Sequence, residues 1–198
     1  MGDFMKILFF AGSARKGSWN KKLARQACKI AEELGVEVTF IDLQDFPMPL
    51  YHADLEREKG MPEGARRLKE LFITHDGFFI AAPEYNSSLT PLLKNSLDWI
   101  SRQHEEGEPP LVAFKDKAVA ISSASPGAYG GMRALVPLRL MLNNIGTFVV
   151  PEQLAVAHAD EAFDNADLLI KEQHRNILKK IIKQLIQVVR GLEGEEVG

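Results

Sequence analysis

Short apolar runs of strand length alternate along this chain with longer segments that carry apolar residues at helical spacing, and this alternation constrains the fold more than any other feature. Five runs are predicted as strands: Met5–Ala11, Val36–Asp42, Gly77–Ala82, Ala118–Ala124 and Thr147–Val150. Five helical patterns lie between or after them: Asn20–Leu34, Glu63–Thr74, Pro91–Ser101, Gly131–Ile145 and Glu161–Leu192. Strands and helices that alternate in this way form a parallel sheet with helices on both faces.

Five strands and five helices in 198 residues predict a doubly wound α/β fold with the flavodoxin-like strand order 2-1-3-4-5. No repeat or change of composition divides the chain, so one domain is expected over residues 1–192, followed by an acidic tail at 193–198. Ligands bind such sheets at the carboxyl ends of the strands. The loops after the first, third and fourth strands are therefore expected to carry the chemistry.

The composition excludes several functional classes. The chain has 24 Lys and Arg against 27 Asp and Glu, a net charge of -3, which fits neither a basic nucleic-acid-binding protein nor an acidic disordered segment. Its single cysteine, Cys28, excludes an intramolecular disulfide and a zinc site built on several thiolates. No apolar segment approaches the roughly 20 residues that span a bilayer. We therefore expect a cytoplasmic protein that binds neither nucleic acid nor membrane.

Motifs for metal and hydrolytic chemistry are missing from the sequence. The five histidines show no HExxH or paired spacing, and no GxSxG is present, so neither a metal site nor a catalytic serine is expected. Cys28 lies in an amphipathic helix and is expected to be packed rather than reactive. The proline-containing segment Leu43–Pro62 is predicted as a long loop. Within it, Tyr51 and His52 are hypothesised to reach a pocket of the same or a partner subunit.

The loop after the first strand, Gly12–Asn20, has the composition of an anion site. It matches neither GxxxxGK[ST] nor GxGxxG, which disfavours a triphosphate cradle and a dinucleotide turn. A helix N-terminus already attracts anions, and Arg15 adds a planar cation while Ser13, Ser18 and Asn20 add uncharged donors. The loop is therefore predicted to bind a phosphate; the alternative is a polar loop in which Ser18 or Asn20 caps the helix. Three lysines in this loop or directly after it are expected to be solvated: Lys16, Lys21 and Lys22.

Further motifs follow the third and fourth strands. They are Pro83-Glu84-Tyr85-Asn86, then Leu93-Lys94-Asn95-x-x-Asp98-Trp99, then Ser125-x-Gly127-x-x-Gly130-Gly131-x-Arg133 leading to Leu138-Arg139. Together with Gly12-Ser13-x-Arg15-x-x-Ser18-x-Asn20, they resemble the NADPH-dependent FMN reductase family, a flavodoxin-like family that includes quinone, chromate and azo-dye reductases. The similarity runs from about Ile7 to Pro151. One departure is Thr90-Pro91, where many relatives have Pro-Gly.

This resemblance implies a set of cofactor contacts. FMN would be the cofactor, with NADPH or NADH as co-substrate. Its phosphate would be held by Ser13, Arg15, Ser18 and Asn20. Its ring and ribityl chain would lie along Pro83, Glu84, Tyr85 and Asn86, with Ser125 and Gly127 at the other edge. No side chain is expected to be catalytic, because the cofactor carries the chemistry.

Other residues of these motifs are assigned differently. Four are expected to be structural, on a helix that in the family helps to form a dimer: Lys94, Asn95, Asp98 and Trp99. For Gly130, Gly131 and Arg133, packing and cofactor contact both remain open. The family resemblance also implies a homodimer or a homotetramer.

The leading hypothesis is an FMN-dependent NAD(P)H oxidoreductase. It would pass electrons from a nicotinamide cofactor through FMN to quinones, flavins, azo or nitro compounds, or metal oxyanions. Since both substrates would use one ring face in turn, ping-pong kinetics are expected. The alternative is a flavodoxin-type electron-transfer protein with no NAD(P)H reaction of its own, although the first loop lacks the Thr/Ser run of flavodoxins. A third hypothesis is a regulatory or assembly protein that keeps the fold but binds no flavin.

Overall fold

A parallel sheet organises residues 5–193, the part of the chain that the computed structural model describes. Its strands are β1 (Lys6–Ala11), β2 (Glu37–Asp42), β3 (Gly77–Ala81), β4 (Ala118–Ala124), β5 (Phe148–Val149) and β6 (Leu154–Val156). The order is β2-β1-β3-β4-β5, and β6 also pairs with β4. The predicted doubly wound fold and its strand order are confirmed. Most of the expected acidic tail, residues 194–198, lies outside the described residues.

Six α-helices lie within that range. They are α1 (Trp19–Glu33), α2 (Ala53–Lys59), α3 (Glu63–Thr74), α4 (Pro91–Ile100), α5 (Met132–Asn144) and α6 (Glu172–Glu193). Side chains alternate across the strands, so Ile7 and Phe9 of β1 pack with α1 and α6 while Leu8 and Phe10 pack with α3, α4 and α5. Two buried layers therefore cover the two faces of the sheet. None of the helices in residues 5–193 is both long and apolar enough to cross a membrane.

The predicted fifth strand, Thr147–Val150, is split in two. Seven residues from Phe148 to Leu154 face only five from Ala118 to Ser122, so two extra residues bulge between β5 and β6. Arg139 of α5 donates a hydrogen bond of 2.9 Å to the carbonyl oxygen of Val150 and binds further acceptors of this bulge. The guanidinium thus provides the hydrogen bonds that the bulge cannot receive from β4.

The segment predicted as a long loop, Leu43–Pro62, contains helical structure. A 3-10 helix spans Leu43–Asp45, and α2 follows. His52 caps α2, because its Nδ1 accepts a hydrogen bond of 3.2 Å from the backbone N–H of Leu55. The expectation of an irregular loop over the whole segment was therefore wrong.

The last helix begins eleven residues later than predicted, at Glu172 rather than Glu161. Asp164 explains the difference, since its carboxylate accepts hydrogen bonds of 2.9 Å from the backbone N–H groups of Ala166 and Leu168. An aspartate that binds nearby backbone N–H groups in this way favours a turn over a helix.

Candidate active site

A cleft with a volume of about 130 Å³ lies at the carboxyl edge of the sheet, where the loops after β1, β3 and β4 meet. Its lining residues are Ser13, Arg15, Ser18, Trp19, Asn20, Pro83, Glu84, Tyr85, Ala124, Ser125 and Pro126. Eight of the ten residues predicted for the site are among them. The other two, Asn86 and Gly127, lie on the adjoining loops and do not line the cleft.

The hydroxyl groups of the first loop differ in what they bind. Ser18 is the N-cap of α1, and its Oγ accepts a hydrogen bond of 3.4 Å from the backbone N–H of Lys21. Ser13 is buried at the wall of the cleft, and its hydroxyl forms no hydrogen bond within residues 5–193. Capping and anion binding are compatible here, because the Ser18 hydroxyl still has its proton to donate. Ser13 has its whole hydrogen-bonding capacity available.

Asn20 fastens the first loop to the end of β4. Its Nδ2 donates to the carbonyl oxygen of Ala124 at 2.8 Å, and its Oδ1 accepts from the backbone N–H of Ala124 at 3.0 Å. The side chain is buried, so both bonds are shielded from water. One N–H of the amide is left for a ligand. The main effect of Asn20 is therefore to hold two walls of the cleft together.

The cations of this segment have different partners. Arg15 is exposed, and its guanidinium carbon lies 4.3 Å from the ring centroid of Trp19. The expectation that Lys21 is solvated was wrong: it is buried, and its Nζ lies 2.5 Å from Asp42. Lys21 belongs to the face of α1 that packs on the sheet, where Asp42 ends β2. Two neighbours remain at the surface, Lys16 exposed and Lys22 paired with Asp167 at 2.6 Å.

The loop after β3 is a tight hairpin turn. Tyr85 and Ser88 exchange backbone hydrogen bonds of 3.0 Å, and the residues between them, Asn86 and Ser87, have φ angles of 50° and 66°. Positive φ at both central positions is the mark of a type I′ turn. The turn holds the Tyr85 side chain at the mouth of the cleft with 54% of its surface exposed. Asn86 thus shapes the turn rather than lining the cleft.

Glu84 is neutralised by its surroundings. Its carboxylate lies 2.6 Å from Nε and 2.5 Å from Nη2 of Arg133, and it also accepts the backbone N–H of Arg133 at 3.1 Å. The Glu84 side chain is only 8% exposed, whereas Arg133 faces solvent. The carboxylate therefore binds the first turn of α5 and presents little net charge to the cleft.

Glycines at the start of α5 are required by packing. Gly131 has a φ of +86°, and a Cβ there would lie 1.8 Å from the Oγ of Ser123. Gly130, at φ +59°, would clash with the backbone at Ala157. Gly127 is different, because a Cβ on it would meet only the Ser125 hydroxyl at 3.7 Å. Of the two roles left open for Gly130 and Gly131, packing is the one that these distances explain.

Neither Tyr51 nor His52 lines the cleft of the single chain. The Tyr51 ring meets the Trp99 ring edge-on at 5.0 Å. Two side chains of α4 bind the same loop, because Asn95 Nδ2 and Trp99 Nε1 donate to the carbonyl oxygen of Pro49 at 2.9 and 2.8 Å. These contacts agree with the expectation that Asn95 and Trp99 are structural.

Sequence reasoning missed three residues of the cleft wall, Trp19, Ala124 and Pro126. Ala124 binds Asn20 through its backbone, which leaves no signal in a residue's identity. Trp19 carried a usable signal: it is an aromatic residue between two motif positions and four residues after an arginine. A cation and an aromatic ring so close in a ligand-binding loop are candidates for stacking.

Comparison with known proteins gives four concordant matches. A statistical model of the NADPH-dependent FMN reductase family matches residues 5–161. An NAD(P)H-dependent FMN reductase of Pseudomonas aeruginosa is 32% identical over 196 residues, covering 98% of this chain and 100% of that protein. A quinone reductase of Escherichia coli is 38% identical over 143 residues, covering 72% and 71%. The structure of a flavoenzyme NAD(P)H:(acceptor) oxidoreductase from Paracoccus denitrificans is similar at a TM-score of 0.79, with 26% identity over 94% of this chain and 98% of that one.

Proposed function

Because this chain belongs to the NADPH-dependent FMN reductase family, whose members are FMN-dependent NAD(P)H oxidoreductases, we propose that the cleft at the carboxyl edge of its sheet holds FMN and that the enzyme reduces small acceptors such as quinones. One observation carries this proposal. Three loops that are distant in the sequence converge on one cleft with eight residues of the family motifs in its walls. Two of the relatives described above are named for FMN and quinone reduction, which agrees with the proposal.

The donors in the cleft suit a phosphate monoester. The Ser13 hydroxyl and the Arg15 guanidinium lack hydrogen-bond acceptors within residues 5–193, and both stand near the N-terminus of α1. Free N–H groups and a helix N-terminus favour a dianion. The carboxylate that lines the same cleft, Glu84, is compensated by Arg133 and so repels an anion little.

The size of the cleft determines how much of FMN it encloses. Ligand pockets usually measure roughly 300–1,000 Å³, whereas this one measures about 130 Å³. It therefore has room for the phosphate and part of the ribityl chain, while a flat ring system would lie at the open mouth beside Tyr85. An open mouth leaves one ring face accessible to a second flat molecule. This arrangement suits an enzyme whose nicotinamide and acceptor take turns.

Each wall of the cleft then has its own task. Bound FMN would supply the redox chemistry. Ser13 and Arg15 would bind the phosphate, the backbone at Pro83 and Glu84 would support the ring, and Ser125 would line the opposite edge. Asn20 keeps these walls in register. No side chain of the cleft is needed as an acid or base, because a quinone oxygen can take its protons from water.

An anaerobic reduction assay tests the proposal. Protein loaded with FMN should lose its yellow absorbance rapidly on addition of NADPH or NADH, and an acceptor panel should then restore it. Arg15→Ala should weaken FMN retention, whereas Lys16→Ala, a neighbouring exposed cation outside the cleft, should leave it unchanged. Persistent yellow colour with both nicotinamides would indicate a flavodoxin-type carrier. Failure to take up FMN at all would contradict the proposal.

We also propose that the chain forms a homodimer. Met132, Val136 and Leu140 recur every four residues along α5 and are 46%, 67% and 72% exposed. This apolar stripe continues from the start of α5, where Arg133 meets Glu84 of the cleft. A second copy packed on it would cover the apolar side chains and stand beside the mouth of the cleft. The single domain over residues 1–192 and the cytoplasmic location remain predictions.

A further inference from the structure

Trp19 lines the cleft and contacts Arg15, the cation among the lining residues. The indole lines the cleft and is partly buried, since it also packs against the core beneath α1. The guanidinium carbon of Arg15 lies 4.3 Å from the centroid of the indole, within the range of a cation–π contact. Neither role was predicted from the sequence motifs, in which position 19 is unspecified.

The charge of Arg15 is not neutralised by this contact. Lys21 and Lys22, in the first turn of α1, form ion pairs with Asp42 and Asp167. Arg15 forms no ion pair within residues 5–193, and its five N–H donors have no protein acceptor there. An aromatic face attracts the cation without using a hydrogen-bond acceptor or supplying a negative charge. Arg15 therefore keeps its full charge and its donors for a ligand.

We infer that Trp19 is a positioning residue whose ring holds the Arg15 side chain at the cleft, ready to bind the phosphate of FMN. This inference rests on the proposed function. A free arginine side chain samples many rotamers and loses that freedom when it binds an anion. The indole restricts it beforehand, so less conformational entropy is lost on binding. Trp19 thus acts through Arg15 and not through a contact of its own with the phosphate.

A merely structural role of Trp19 gives different expectations. If Trp19 only packed α1 against the core, its loss would lower stability and weaken every flavin equally. If it contacted the ring or ribityl chain directly, its loss would weaken riboflavin, which has no phosphate, as much as FMN. Positioning of Arg15 predicts a loss confined to the phosphate-bearing ligand and dependent on the presence of Arg15.

A double-mutant cycle with two ligands tests these expectations. The variants are Trp19→Leu, which keeps apolar bulk without an aromatic face, Arg15→Ala, and the two combined; Trp19→Phe is the conservative control. Dissociation constants for FMN and riboflavin are measured by calorimetric titration of folded protein. Trp19→Leu should weaken FMN about threefold to tenfold and riboflavin less than about twofold. Trp19→Phe should restore FMN binding to within about twofold of the original chain.

The combined variant decides the question. In the Arg15→Ala background, Trp19→Leu should cause no further loss of FMN affinity, since its effect runs through Arg15. Independent, multiplying losses would overturn the inference, and so would equal losses for FMN and riboflavin. Should Trp19→Leu not fold, as judged by circular dichroism, Trp19→Met gives the same comparison. If the unmodified chain binds riboflavin and FMN equally or not at all, the phosphate site of the proposed function fails first, which separates the two failures.

Discussion

Three lysine side chains that are largely removed from solvent in this protein bind polar partners. Lys21 pairs with Asp42 beneath α1, and Lys69, which is 1% exposed, pairs with Glu108. Lys117 donates to three carbonyl oxygens around the end of α3, while burial lowers its pKa to about 8. Burial of an unpaired charge lowers the free energy of unfolding, so a buried lysine is tolerated only where it has such partners. None of these three lysines lines the cleft, so their role is in stability.

Glu108 provides a test of such a buried pair. Burial alone would raise its pKa, but the hydrogen bond and charge of Lys69 lower the pKa below the ordinary value. Because the folded-state pKa is the lower one, the stabilisation is complete above about pH 4.3 and is lost as the pH falls through the folded-state pKa. Glu108→Gln should therefore reduce the free energy of unfolding by about 3 kcal/mol at pH 7.

Urea unfolding at pH 7 and at about pH 3 checks this. The difference between the original chain and Glu108→Gln should shrink at the acidic pH, because the unfolded chain binds a proton at Glu108 there more readily than the folded chain does. Glu105→Gln, which removes a 75% exposed carboxylate from the same loop, should change stability by less than about 0.5 kcal/mol. An equal deficit at both pH values would contradict the assigned role of the charge.

The thiol of Cys28 is expected to react slowly. Burial and the nearby Glu32 raise its pKa to about 11, so only about 0.1% is thiolate at pH 8. Iodoacetamide should alkylate the folded chain at least about a hundredfold more slowly than the chain in denaturant, where the thiol has an ordinary pKa. Mass spectrometry of timed samples measures both rates. Similar rates would show that Cys28 is neither packed nor shielded as described.

At the scale of elements, Asn20 determines how α1 sits against β4. Asn20→Leu keeps a similar volume but removes both hydrogen bonds to the buried backbone of Ala124. We expect a loss of about 2 kcal/mol, which lowers the Tm by about 4–8 °C in a chain of this size. Thermal unfolding by circular dichroism measures it, with the exposed Asn176→Leu on α6 as the control. Matching Tm values for the two variants would refute this role.

Elements with a long and regular apolar pattern could be predicted from the sequence. α3 spans Glu63–Thr74 and β4 spans Ala118–Ala124, both as predicted. The buried residues of α3 recur at helical spacing, and every residue of β4 is buried. β6 was missed because it has three residues and its separation from β5 depends on Arg139, which lies on another element. A pattern in one segment carries no information about a hydrogen bond supplied by a distant side chain.

The candidate site was predictable to a similar degree. The motifs identified the three loops, and eight of the ten named residues line the cleft. What the sequence could not provide is the division of tasks among them. Asn20 and Glu84 are largely occupied by protein partners, Ala124 and Arg133. The role of Trp19 depends on the path of the loop that brings Arg15 over its ring.

At the scale of the whole molecule, α5 presents an exposed apolar stripe formed by Met132, Val136 and Leu140. If a second copy covers it, Val136→Glu or Leu140→Glu should turn a dimer into a monomer, because each would bury a charge at the centre of the interface. Sedimentation velocity at one fixed protein concentration measures the change. Ile73→Glu, at an exposed apolar position on α3, should leave the mass unchanged. A monomeric original chain would contradict the proposed homodimer.

The bonds between Asn20 and Ala124 close a loop of 104 residues. A ribosome makes the chain from its N-terminus, so β1 and the first turn of α1 emerge long before the strand end that completes the cleft. The first loop, Gly12–Asn20, therefore lacks its opposite wall until more than half of the polypeptide has been translated. If the cleft holds FMN as proposed, flavin loading is expected late in biogenesis, and truncated chains that end before β4 should neither retain the cofactor nor compete for it.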